Sequence, residues 1–288
     1  MLAYRGFRVL QWVMERLPRP WAYALAIVVA RLAWIFARRA RRRLEFNLRV
    51  ALPEADARSI RRIAWKNFRN HSKAYADLMR LPRATVAQLK PLLKLRNERF
   101  LDEALAAGKG VLVVSAHMGS WEVAAAIWSA TIAPVALFAE ELDPPELYDW
   151  YRTTRQRLGI SVLPLNRTGL KQVVQALAAG EMIVTAIDRD VAGSGMEVDF
   201  FGRPAPIPTG PAAIALRKGV PLLPVAVYRL ADDTYMAEGW EPIWPRPTGD
   251  HHADLRALTE RLVRHLELII RQHPEQWHLP HKIWDGTP

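Results

Sequence analysis

The chain has 288 residues, half of them hydrophobic, which excludes a disordered protein and allows one large core or one domain with an N-terminal extension. It contains no cysteine, so disulfides, Cys-ligated zinc and thiol chemistry are excluded, in keeping with a reducing compartment. Of the net charge of +11, most lies at the start: residues 1–50 hold eleven Arg and two Glu.

Basic charge interleaved with tryptophan, here Trp12, Trp21, Trp34 and Trp65, is the pattern of helices that lie in a membrane interface, with anionic membrane lipids as partners. Nucleic acid is not an expected partner, because no zinc finger, RNP signature or Gly-Lys-Ser loop accompanies the charge. Residues 1–19 alternate Phe7, Leu10, Val13, Met14 and Leu17 with Arg5, Arg8, Arg16 and Arg19, in outline an amphipathic helix. Residues 21–37 form an apolar run interrupted by Arg31 and followed by Arg38, Arg39, Arg41, Arg42 and Arg43. A bilayer span needs about 20 apolar residues, so this run is short, and it lacks a small-residue cleavage motif. It reads as a membrane-associated or re-entrant helix with its arginines on the cytoplasmic side. The alternative is a buried helix of the domain itself, capped by those arginines. The expected division is 1–45 as basic, membrane-associating helices and 46–288 as the folded domain.

A helix is predicted from Pro53 and Asp56 to Pro82, with His71 read as packing or surface, then a short strand near Leu95 and a helix from Arg99 ended by Gly108. The rest of the chain is organised around the stretch at residues 110–128, GVLVVSAHMGSWEVAAAIW. Val111–Ser115 is a buried strand by composition, residues 116–119 break it, and Ser120 stands where a cap would start a helix through Val123, Ile127 and Trp128. His117 then lies just past a strand end and Glu122 in the first helical turn. On one continuous helix the two would be about 500° apart, so they meet only if the histidine is in the turn. A carboxylate on one imidazole nitrogen fixes the tautomer and frees the other nitrogen as a base. The backbone N–H groups at Gly119, Ser120 and Trp121 open a helix and favour negative charge.

Strands are expected at residues 133–138, 160–163, 182–187 and 222–228, with helices at 147–158, 171–179, 212–218 and 254–272. This alternation predicts a mostly parallel central sheet flanked by helices, an α/β fold. Polar residues recur where the strands end: His117, Glu140, Arg167, Asp188 and Asp190. In a parallel sheet those ends share an edge, where ligands bind, although strand ends are polar in any case. Residues 190–211 are rich in Gly and Pro, and Phe200 and Phe201 there suit an apolar slot or the core equally. Thr209 is placed to cap the next helix. The tail pairs aromatics with cations at Trp277, His278, His281 and Trp284; its histidines match no metal spacing, so no metal site and no cofactor are expected.

The segment from His117 to Glu122 resembles the His-X4-Asp/Glu motif of the glycerolipid acyltransferases. The form with Glu, followed by Asp-Arg-Asp at 188–190, Val-Asp-Phe-Phe-Gly at 198–202 and Pro-X-Gly-Pro-Ala from Pro208, is similar to the lipid A late acyltransferase branch. Within that branch the strongest likeness is to the actinobacterial acyltransferases of phosphatidylinositol mannosides, through Ala139-Glu140, Leu147-Tyr148, Leu158-Gly159 and Trp277-His278. The resemblance runs from about residue 40 and is specific from 110 to 284.

The resemblance implies transfer of a long acyl chain from acyl-CoA or an acyl carrier protein to a hydroxyl of a glycolipid acceptor, a mannose in those relatives. It implies His117 as base and Glu122 as its orienting carboxylate, with Glu140 and Asp188 as further acidic site positions. Arg167 and Asp190 are expected beside them, and Phe200, Phe201, Trp277 and His278 as lining for acyl chain or acceptor. Glu122 stands where the mannoside enzymes have Asp, and Asp188 where they have Glu, so the acceptor is less fixed than the chemistry. A lipid A-type or lysophospholipid acyltransferase, or a thioesterase using the same base, remains open; the absence of a Gly-X-Ser-X-Gly elbow counts against a hydrolase.

Overall fold

The N-terminal third folds as four helices: α1 (Leu2–Arg16), α2 (Arg19–Phe36), α3 (Arg38–Ala51) and α4 (Ala57–Arg80), the last capped by Asp56, which accepts from the Ser59 N–H at 2.8 Å. The computed structural model describes residues 2–139, 143–284 and 286, without the side chains of Leu2, Ala3 and Ala139. After α4 come α5 (Val86–Leu89), β1 (Leu93–Arg96), α6 (Arg99–Ala106), β2 (Val111–Ser115), α7 (Trp121–Thr131) and β3 (Val135–Ala139). They are followed by α8 (Pro145–Arg157), β4 (Ile160–Pro164), α9 (Arg167–Ala178), β5 (Met182–Ala186) and a hairpin of β6 (Met196–Phe200) and β7 (Arg203–Ile207). The chain ends with α10 (Gly210–Lys218), β8 (Leu222–Arg229), β9 (Tyr235–Gly239), α11 (His251–Gln272) and an extended tail.

Seven strands form one sheet in the order β1-β9-β8-β2-β5-β3-β4, every pair parallel except β8–β9. The alternation of strand side chains divides the core between the two faces. Leu112 and Val114 of β2 join the layer made with α3, α4, α10 and α11, whereas Val111 and Val113 join the layer made with α6, α7 and α8. This is the α/β architecture expected from the sequence, with two additions. The hairpin β6–β7 stands apart from the main sheet, and the strand β9 was not anticipated. Helix α9 begins four residues earlier than its apolar period suggests, because Asn166 caps it by accepting from the N–H groups of Thr168 and Gly169. Thr209, by contrast, makes no capping bond to α10.

The N-terminal helices are not a separate appendage. Position 45 falls inside α3, whose Leu44, Asn47 and Leu48 are fully buried in the main core. The small residues Ala22, Ala26 and Ala30 let α2 pack closely on α4, with Met14, Ala76 and Met79 completing that contact. A buried polar cluster fastens it. Asp77 of α4 accepts from the hydroxyls of Tyr23 and Tyr235 and from Arg229 Nη2, which joins α2 to β8 and β9. The opposite face of α2 is apolar and open to solvent, with Trp21 68% and Phe36 77% exposed beside Val28, Leu32 and Ile35. By length and apolarity α2 could cross a membrane; here one of its faces packs on α4 and the other is open.

Candidate active site

Strands β2 and β5 are neighbours, with Ser115 opposite Ala186, so the residues that follow them meet at the sheet edge. His117 Nδ1 lies 2.6 Å from Asp188 Oδ1, and the His117 backbone N–H donates to Asp188 Oδ2 at 2.9 Å. The indole Nε1–H of Trp277 donates to the same Oδ2 at 2.8 Å. Asp188 is therefore a buried carboxylate with its oxygens fully engaged, while the His117 side chain keeps 40% of its surface open. Because an ionised carboxylate only accepts, His117 carries its proton on Nδ1 and leaves Nε2 with a lone pair. Burial on its own would lower the basicity of His117, but the charge of Asp188 and its hydrogen bond outweigh it and raise the pKa above 6.5. Burial acts on Asp188 in the opposite sense and is likewise outweighed by His117, so its carboxyl titrates below 3.8.

The carboxylate expected against His117 was Glu122, and the structure corrects this. Helix α7 begins at Trp121, so Glu122 leaves the flank of the first turn toward α8 and pairs with Arg155, Oε1 to Nη2 at 3.5 Å. Burial raises the pKa of Glu122, and Arg155 opposes that rise. The guanidinium of Arg155 sits over the rings of Trp121 and Tyr151, at 5.0 and 5.1 Å. Glu122 still lines the same cavity as His117, an open recess of about 310 Å³ bounded by α4, α7, α8 and the tail.

Of the other anticipated residues, His278 lines this cavity, as do Gly119 and Trp121. Gly119 has a left-handed φ of +61°, and a Cβ there would stand 1.8 Å from the Val227 carbonyl oxygen, so the turn requires glycine. Its N–H is directed at the Gln276 carbonyl at 3.4 Å and is not free to meet an oxyanion. Ser120 is buried but caps nothing, and its Oγ has no hydrogen-bond partner among the described residues. Trp277 does not line the cavity; it supports it from beneath, through Asp188.

Three expectations fail for reasons of topology. Arg167 follows β4, the edge strand, two strands away from β5, and lies exposed. Asp190 turns away from His117 and accepts from the N–H groups of Gly193 and Gly195, which shapes the loop to β6. Phe200 and Phe201 are buried with Trp277 and Trp284 under the hairpin, where β6 packs on α11, and form core rather than cavity wall. Glu140 lies outside the described residues.

Two rows of residues were not read as part of the site although their spacing is regular, and His71, expected as packing or surface, belongs to one of them. Asn67, His71 and Tyr75 recur every four residues on α4, and Tyr148, Tyr151, Arg152 and Arg155 share a face of α8. All but Asn67 line the cavity. His71 stacks on His278 with ring centroids 3.3 Å apart. Burial, reinforced by His117, holds His71 down to about 3, and burial, reinforced by His71, His281 and His117, holds His278 well below 6.5, so both stay neutral.

Residues 4–285 match the family described as bacterial lipid A biosynthesis acyltransferase. The phosphatidylinositol mannoside acyltransferase of Mycobacterium tuberculosis strain H37Rv is 30% identical over 224 residues, covering 75% of this chain and 68% of that one. The protein of the same name from Mycolicibacterium smegmatis is 28% identical over 219 residues, 75% of this chain and 70% of that one. The lipid A biosynthesis lauroyltransferase of Escherichia coli K12 is 25% identical over 293 residues, all of this chain and 92% of that one. The crystal structure of the 1-acyl-sn-glycerophosphate acyltransferase PlsC from Thermotoga maritima superposes with a TM-score of 0.37 at 16% identity, over 81% of this chain and 97% of that one, too low for a detailed comparison. The family match takes in every element that builds the cavity, and on it the chain belongs to the bacterial lipid A biosynthesis acyltransferases, an acyltransferase by descent.

Proposed function

We propose that this acyltransferase moves a long fatty acyl chain from a thioester, acyl-CoA or an acyl carrier protein, to a glycolipid hydroxyl, a mannose of a phosphatidylinositol mannoside, with His117 as general base. The observation that carries this reading is the hydrogen bond of His117 Nδ1 to Asp188 in the wall of the cavity, which leaves Nε2 of the neutral ring with its lone pair. Nε2 takes the hydroxyl proton as the oxygen attacks the thioester carbonyl, and the imidazolium is stabilised by Asp188. Collapse of the tetrahedral intermediate breaks the carbon–sulfur bond, and the same proton passes to the leaving thiolate, so ester and thiol are formed and the histidine is restored.

The backbone N–H groups of Ser120 and Trp121, at the start of α7, are assigned to the developing oxyanion, an interaction worth about 3 kcal/mol per donor. Glu122 acts through Arg155, which it holds against the cavity wall. The acceptor assignment draws on the mannoside acyltransferases, whose names state that acceptor. The exposed apolar face of α2 and the arginines of α3 support membrane association at the cytoplasmic face, with anionic lipid as partner.

His117→Ala tests the reading. With labelled palmitoyl-CoA and phosphatidylinositol mannoside, the folded variant is expected to lose acyl transfer by about 10²–10⁴-fold, the contribution of a positioned base. A folded variant with full transfer would remove His117 from the chemistry. Release of free palmitate by the wild type, with no acylated lipid, would make the enzyme a thioesterase.

A further inference from the structure

The tail after α11 runs as an extended strap between α3–α4 and the His117 turn. On one edge, asparagine side chains donate to its backbone carbonyls: Asn70 to Glu275 at 3.0 Å, Asn67 to Trp277 at 2.6 Å, and Asn47 to Leu279 at 2.7 Å and His281 at 3.1 Å. On the other edge, the His278 N–H donates to the His117 carbonyl at 2.9 Å. Glu275 lies in the turn that opens the strap; beyond it the alternate carbonyls of Trp277, Leu279 and His281 are held by asparagines, in step with the two-residue repeat of an extended chain.

Asn67, buried like Asn47, differs from the other two in what its oxygen meets: Oδ1 lies 2.5 Å from Nδ1 of His278. Its Nδ2 must face the Trp277 carbonyl, since the flipped amide would set two oxygens against each other at 2.6 Å. Oδ1 is therefore the atom at His278, and it can only accept, so the proton of His278 sits on Nδ1. The stack on His71 holds the ring plane, with an angle of 14° between the two rings. Nε2 is left as a hydrogen-bond acceptor on a residue that lines the cavity beside His117.

We propose that Asn67 is a positioning residue for acceptor binding: it locks His278 as the Nδ1–H tautomer, so that Nε2 receives a second hydroxyl of a polyol acceptor while His117 takes the proton of the first. This rests on the reading of a hydroxyl-rich acceptor under Proposed function. Neutrality of His278 belongs to the same design, because an imidazolium has no acceptor atom. The groups that bear on its charge are His71 of α4, His117 of the turn and His281 of the strap, none of them acidic.

The tautomer can be read without activity, from the histidine ¹⁵N shifts of the full chain in detergent micelles, with His278→Gln to assign the resonance. The expected wild-type signature is a protonated Nδ1 and a bare Nε2 on His278 at neutral pH; a protonated Nε2 would overturn the proposal. Asn67→Asp replaces the amide by a carboxylate and is expected to give His278 a second proton. With palmitoyl-CoA and phosphatidylinositol mannoside it should raise the acceptor KM about tenfold, the cost of one hydrogen bond of about 1.4 kcal/mol, with donor KM unchanged. Asn47→Ala removes strap contacts that do not touch His278 and should leave the tautomer as in wild type; loss of the tautomer there would assign the effect to the strap as a whole and overturn the role of Asn67. Failure of the acceptor reading shows separately, as absence of mannoside acylation with the wild-type ¹⁵N signature intact.

Discussion

Of the three histidines that line the cavity, His117 and His278 each carry the proton on Nδ1 and the lone pair on Nε2, yet they differ in basicity. His117 is held by the carboxylate of Asp188 and His278 by the amide oxygen of Asn67. Both partners accept the same kind of hydrogen bond and dictate the same tautomer. Only the carboxylate adds a negative charge, and this lifts His117 above 6.5 while burial leaves His278 well below it. A ring that must take a proton is paired with charge, and a ring that must remain an acceptor is paired with a neutral amide.

The sharpest way to break this contrast is Asp188→Asn. Oδ2 of Asp188 accepts from both the His117 N–H and the Trp277 indole, so the remaining oxygen must stay at that position. The new NH₂ then faces Nδ1 of His117, which is forced to accept, and the proton moves to Nε2. A base in the wrong tautomer cannot work, and a loss of about 10⁴ in kcat is expected, as for the equivalent change in a Ser-His-Asp triad. Circular dichroism and ¹⁵N shifts on the same sample would separate this from unfolding, and retention of more than a tenth of wild-type kcat would refute the assignment.

Next in size is the response to pH. The active form of His117 is neutral, and its pKa is raised, so kcat/KM should rise with pH through a value above 6.5 and fall tenfold per unit below it. The same pair is linked to stability. Asp188, lowered in the fold, stabilises it above 3.8 and ceases to as pH falls through its folded value. His117, raised in the fold, stabilises it fully below 6.5 and ceases to as pH rises through its folded value. Chemical denaturation across pH should therefore show the pair's contribution between those limits and its loss in Asp188→Asn.

The smallest effect on the base is expected from Glu122→Gln. Its partner is Arg155, so the acid limb of the pH profile should stay close to wild type. The change should instead lower stability, by about 1 kcal/mol for the weakened, partly buried bond to a charged group, read as a fall in the denaturation midpoint. An acid limb displaced as far as in Asp188→Asn would return Glu122 to the side of His117.

The two histidines also separate what local pattern can reveal from what it cannot. The strand–turn–helix at residues 110–128 and the parallel α/β alternation were legible because strand and helix write periods of two and 3.6 into apolar residues. His117 was legible for the same reason, since a polar residue just past a buried valine strand marks the sheet edge. Its partner was not. Which carboxylate meets it depends on strand order, and the order β2-β5-β3-β4 seats Asp188 beside it and sends Arg167 to the far edge. Asn67 and His71 wrote a four-residue period on α4, but that period shows only a shared face and not what the face meets.

By itself, the sequence determined the fold class, the basic and apolar character of the N-terminal helices and the position of the histidine, all set by composition and short-range periodicity. The tertiary structure alone decided the identity of the carboxylate at that histidine, the burial of Phe200 and Phe201, and the strap that brings His278 to the cavity from more than 150 residues away in the chain. Those are contacts between segments remote in sequence, fixed by how strands are ordered and how the tail closes over them, and no local pattern encodes that order.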